Sequence, residues 1–212
     1  MSTTSDLGNT ANHLASWTTS LGFMPIPLAA FHSDKDRFPG ALTAPVLRVG
    51  RYRCDPREYI LVTCSPTLPH MQHPAVTHFC LEHAMTAQEI ETPEGPIPMT
   101  QDIIQANSDR DSLYQIGWSR AGGELTFDDS RNTPKRITLQ DVLDVYTFLA
   151  ETRGYSRSLY VTNYLSWFTF SLMECLRGCT PCFGGRWSPG IFRASPQVTG
   201  ARERYLDLNH CA

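Results

Sequence analysis

Alternating and β-branched stretches come early in this chain, and helical spacing comes late. From Ala44, "APVLRVGRYR" alternates apolar and polar positions loosely and predicts a strand. "EYILVTC", Glu58 to Cys64, is apolar and β-branched and predicts a second. "SPTLPHMQHP" is a Pro-rich connection, and "AVTHFCLEH", Ala75 to His83, predicts a third strand. "ETPEGPIP" reads as a turn-rich loop, and "SLYQIGWS", Ser112 to Ser119, as a fourth strand. "AGGELTFDD" is the segment placed to close a hairpin.

The period then changes from two to about 3.6. In "ITLQDVLDVYTFLAETRG", Leu139, Val142, Leu143, Tyr146, Leu149 and Ala150 recur at helical spacing. Thr138 with Asp141 three residues later forms a capping box with Asp in place of Glu, Ile137 and Val142 sit at the staple positions, and Gly154 supplies the stop. A second helix is expected from Asn163 to Arg177, apolar around nearly its whole circumference and therefore central. Strands followed by an amphipathic helix and a buried helix predict an α+β fold. The expected form is an antiparallel sheet of about four to five strands followed by two C-terminal helices. Residues 1–40 read as an irregular arm anchored by "FMPIPLAAF", residues 41–178 as the α+β domain, and residues 179–212 as an irregular tail.

Composition narrows the function classes. The 212 residues are 41% hydrophobic and carry a net charge of −3, which supplies a core and no basic patch of the kind nucleic-acid binders use. No nucleic-acid partner is therefore expected. No secretory signal is evident at the start, and the stretch Tyr160 to Leu176 is too short and too polar to span a bilayer. Seven cysteines without an export signal read as reduced thiols in a cytoplasmic or nuclear setting.

Candidate chemistry centres on histidine and cysteine. Period two places His78, Cys80 and Glu82 on one face of the third strand, and Thr77, Phe79, Leu81 and His83 on the other. An imidazole held on a rigid strand beside a buried helix is the geometry that a hydroxyl or thiol nucleophile needs for its base. Cys175, Cys179 and Cys182, with His210 and Cys211 further on, could supply zinc ligands, but no second close cysteine pair answers the first. His70, His73 and His83 give only a weak metal signal. No metal and no cofactor is expected.

The segment "ITLQDVLDVYTFLAETRGYSRSLYVTNYLSWFTFSLMECL" resembles the C-terminal part of a set of uncharacterised fungal proteins, and "THFCLEH" resembles the histidine-bearing strand that precedes it there. The pairing of a strand histidine with a later helix-start cysteine is similar to the permuted papain-like fold of lecithin:retinol acyltransferase relatives and NlpC-type peptidases. The likeness covers residues 44–178. It implies His78 as the base and puts Trp167 and Phe168 at the family's Trp-Phe positions. The nucleophile then falls on Leu165 if Trp167 sets the register, or on Tyr164 if Asn163 is the family's Asn; neither side chain performs thiolate chemistry. The resemblance thus implies a non-catalytic member, a binding or interaction module, with Asn163, Tyr164, Leu165 and Trp167 lining its site. One alternative is an active hydrolase or acyltransferase using His78 with Ser166 or a cysteine. The other is an unrelated structural α+β protein.

Overall fold

The computed structural model describes residues 26–33, 42–54, 57–65, 77–91, 93, 95–107, 119–127, 136–151, 167–178, 185–188 and 196–209. Among them are seven strands: β1 (Ile26–Pro27), β2 (Val46–Cys54), β3 (Arg57–Cys64), β4 (Thr77–Ile90), β5 (Ile97–Asn107), β6 (Ser119–Phe127) and β7 (Gly185–Ser188). They form one antiparallel sheet in the order β1-β5-β4-β3-β2-β6-β7. The helices are α1 (Leu28–Ser33), α2 (Leu139–Glu151), α3 (residues 167–178) and α4 (Pro196–Asn209). The chain is α+β.

Central strand β3 explains why its sequence is almost wholly apolar. Ile60 and Val62 point to one face and Tyr59 and Leu61 to the other, and all four are 3% exposed or less. Both faces of the sheet are covered at this point. The main core lies on the Ile60 face, where Val49, Phe79, Leu81, Ile104 and Leu125 meet Leu139, Val142, Leu143, Tyr146 and Leu149 of α2 and Phe168, Leu172 and Leu176 of α3. A smaller cluster of Tyr52, Tyr59, Leu61 and Cys80 occupies the other face. Full burial of such side chains contributes roughly 1.5–3 kcal/mol each.

The start of α2 is built as the sequence predicts. The Thr138 amide donates to Asp141 Oδ2 at 2.7 Å, and the Asp141 amide donates back to Thr138 Oγ1 at 3.3 Å. The next two helix amides, Leu139 and Gln140, donate to the carbonyls of Ala44 and Leu42 at 3.0 and 2.9 Å. Amides that a helix leaves without internal partners are thus satisfied by the segment leading into β2.

Several expectations are revised. Strand β4 runs on to Ile90, past the His83 end that was expected, and pairs with an unanticipated strand, β5. Residues 112–118 of the expected fourth strand lie outside the described residues, whereas Ser119–Phe127 forms β6 between β2 and β7. The tail expected to be irregular contains β7 and α4, so helices α2, α3 and α4 follow the strand-rich part where two were expected. Helix α4 packs through Val198, Ala201 and Tyr205, with Tyr205 edge-on to Phe148 of α2 at 5.2 Å. Gly178 at the end of α3 lies so close to Leu206 that a Cβ there would sit 2.8 Å from its methyl carbon. Within residues 1–40, expected to be irregular, the described part forms β1 and α1, where Leu28 and Phe31 are buried and Phe31 meets Phe79 edge-on.

Candidate functional site

Strand β4 carries two histidines five positions apart, so the pleat sends them to opposite faces. His78 lies across from Thr63 of β3, and its Nδ1 shares a 3.0 Å hydrogen bond with Thr63 Oγ1. His83 lies across from Asp102 of β5, and its Nδ1 bonds to Asp102 Oδ1. A carboxylate accepts hydrogen bonds, so Nδ1 of His83 carries the hydrogen. The Tyr146 hydroxyl of α2 donates to the same carboxylate oxygen at 3.1 Å. The His83 ring stacks on Phe168 of α3 at 4.2 Å between centroids and 5° between planes. The imidazole that meets the buried helix is therefore His83. His78, expected beside that helix as a base, faces the other side of the sheet.

A second polar group on the helix face was not foreseen. Arg51 of β2 and Glu58 of β3 form a bidentate pair with both side chains 4% exposed or less. Thr169 of α3 accepts from Arg51 Nε at 2.9 Å and donates to Glu58. The Arg51 guanidinium also lies 3.7 Å above the Phe170 ring centroid. A buried pair is tolerable only when its remaining donors and acceptors are satisfied, and Thr169 supplies part of that satisfaction.

The opposite face is arranged differently. Cys80 and Tyr59 sit beside Glu82, which Arg57 approaches at 3.8 Å. Burial raises the Glu82 carboxyl above the usual carboxylate range, and the Arg57 charge works against that rise. Burial, and then the charge of Glu82, raise the Tyr59 hydroxyl. Burial pushes the Cys80 thiol of this face well above the ordinary thiol range, and it does the same to Cys64, which lies in the main core on the helix face. A thiol of that kind supplies little thiolate and is a poor nucleophile.

No family profile, curated protein or solved structure matches this chain.

The other sequence-derived candidates divide as follows. Asn163, Tyr164, Leu165 and Ser166 lie outside the described residues, as do His70, His73, Cys179, Cys182, His210 and Cys211. Trp167 is buried at the start of the described part of α3, edge-on to Phe168 at 6.5 Å. Cys175 is fully buried in the core. Among the described residues, no group of three or more His, Cys, Asp or Glu side chains is placed to hold a metal ion, and no helix is long and apolar enough to cross a membrane. Sequence reasoning missed Asp102, Tyr146, Arg51, Glu58 and Thr169. The available signal for Asp102 was slight: an acidic residue beside the Ile103-Ile104 pair, in a segment not recognised as a strand.

Proposed function

We propose that this chain is a non-catalytic binding or interaction module. The observation that carries this reading is the way the reactive side chains among the described residues are used. His83 is packed flat on Phe168 and held by Asp102. The Cys64 and Cys80 thiols are buried with raised pKa values, and Cys175 lies in the core. Each of these groups serves packing, which leaves none in the state a nucleophile needs.

The permuted papain-like arrangement is part of the same proposal. Its support is the chain order: a histidine strand, then a neighbouring strand with a polar partner, then a buried helix. Within that reading the base position passes from His78 to His83, with Asp102 as the third member. The nucleophile position stays with Leu165 or Tyr164, so the constellation has an oriented imidazole and nothing for it to deprotonate.

The test is incubation of the whole protein with an alkylating thiol probe and a fluorophosphonate, alongside ester and amide substrates. The expected result is no turnover, and no labelling of folded protein that depends on His78 or His83. Labelling of Ser166 or a cysteine that disappears in His78→Ala or His83→Ala would overturn the reading.

A further inference from the structure

Strands β5 and β6 follow one another in the described chain but lie far apart in the sheet. In the order β1-β5-β4-β3-β2-β6-β7, three strands separate them. Strand β5 ends at Asn107, level with His78, Thr63 and Arg48 across β4, β3 and β2. Strand β6 begins at Ser119, opposite Arg53, five residues further along β2. Four inter-strand spacings of about 4.8 Å and five residues at a rise of about 3.3 Å make a diagonal of roughly 25 Å. Twelve peptide steps join Asn107 to Ser119, and at full extension they reach roughly 40–43 Å.

On the helix side, that diagonal is taken by α2 and α3, which pack on the sheet. A detour outside them adds about one helix diameter of 10–12 Å each way and brings the path to roughly 45–50 Å, beyond the reach of the link. The other face calls for a cover. Its Tyr52, Tyr59, Leu61 and Cys80 are 4% exposed or less. Among the described residues, the buried apolar side chains of α1, α2, α3 and α4 all belong to the main core, and the cluster on this face holds strand residues alone.

The buried cluster lies under the diagonal. A straight line from Asn107 to Ser119 crosses β4 near Cys80, β3 near Leu61 and β2 near Tyr52, and Tyr59 stands beside Tyr52 as its pairing partner. The Tyr52 ring lies back along β2, so that a Cβ on Gly50 would sit 3.1 Å from its Cε2. A ring laid along the strand leaves a low surface on which another chain can rest. The sequence of the link agrees with this path. Its first part, "SDRDS", is polar, and its second, "LYQIGW", carries Leu113, Tyr114, Ile116 and Trp118. Spaced evenly along the line, Leu113 falls at β3 and Ile116 at β2, where the apolar cluster lies.

We propose that the face formed by Leu61, Tyr59 and Tyr52 is the docking surface for the chain's own β5–β6 link, residues 108–118, which crosses it with Leu113 and Ile116 against the cluster. With this face occupied from within, a partner of the binding module proposed above uses another surface.

The experiment uses the full chain with the photo-cross-linker p-benzoylphenylalanine in place of Ile116. After irradiation, peptide mass spectrometry should find cross-links from position 116 to β2 or β3 within one monomer. Cross-links to α2 or α3, cross-links between two copies, or none at all would overturn the proposal. A second variant, Leu113→Asp/Ile116→Asp, should uncover Cys80 and leave Cys64, which lies in the core on the helix face. Maleimide labelling should then rise about tenfold or more at Cys80 alone, because local opening exposes one region without the rest. Unchanged labelling of Cys80, or an equal rise at Cys64, would contradict the docking. Neither readout involves His78 or His83, so a failure here leaves the non-catalytic reading standing.

Discussion

The two faces of the sheet hold similar residue types and use them differently. On the helix face, His83, Arg51 and Glu58 are each engaged by α2 or α3, through Tyr146, Phe168, Thr169 and Phe170. On the other face, His78 bonds to a threonine one strand away, and Glu82 meets Arg57 from the neighbouring strand. The first set ties the sheet to the helices, whereas the second ties strand to strand. A polar group that joins layers should therefore matter more to stability than its counterpart across the sheet.

The largest difference should come from the buried ion pair. Arg51→Met leaves Glu58 buried without its counter-charge, and about 3–5 kcal/mol of stability should be lost in urea unfolding. Arg51→Met/Glu58→Leu should recover most of that loss, because no charge is then left stranded. If the single variant is as stable as the parent, Arg51 and Glu58 are not buried together.

Next come the histidines. His83→Ala removes a stacked ring and leaves Asp102 without its imidazole partner, an expected cost of about 2–4 kcal/mol. His78→Ala removes the hydrogen bond to the half-buried Thr63, and a smaller cost of about 0.5–1.5 kcal/mol is expected. Equal losses would erase the distinction between the faces. The α2 cap lies on the helix side as well, and Thr138→Ala should cost about 1 kcal/mol in the same assay.

The opposite face should show itself through pH more than through magnitude. Burial, and after it the charge of Glu82, raises the Cys80 thiol, so the folded state favours its protonated form. Its contribution is complete below the ordinary thiol pKa of about 8.5 and is lost as pH rises above it. The unfolding midpoint should decline above that pH, and Cys80→Ala should make the decline shallower. Glu82 has the smallest effect. Its raised pKa means that its contribution is complete below the ordinary carboxyl value of about 4.3 and is lost as pH rises through its folded pKa. Glu82→Gln should therefore raise the midpoint at pH 7, with the gain disappearing near pH 4.

Much of this contrast was legible in the sequence, and the failures have physical reasons. Alternation along "THFCLEH" assigned His78 and His83 to their faces correctly. It also held the clue to which face meets the helices, because Phe79 and Leu81 accompany His83 while Cys80 and Glu82 accompany His78. The likeness to a thiol-enzyme pattern drew attention to His78 against that clue. The ion pair was hidden because it depends on hairpin register: Arg51 lies across from Ile60, and Glu58 reaches it diagonally. Strand β5 was missed because "IPMTQDIIQAN" interrupts its alternation with adjacent isoleucines and begins beside prolines. Helix α4 was missed because "PQVTGARERYLDLN" has few apolar residues and a glycine in its middle. It is held by tertiary contacts such as Tyr205 on Phe148, which no local pattern encodes.

The most direct test is a pair of double-mutant cycles on unfolding free energy, His83→Ala with Phe168→Ala and His78→Ala with Phe168→Ala. The account predicts a coupling of about 0.5–1.5 kcal/mol in the first cycle and none beyond error in the second. Coupling in the second cycle and not in the first would place His78 against the buried helix and contradict it.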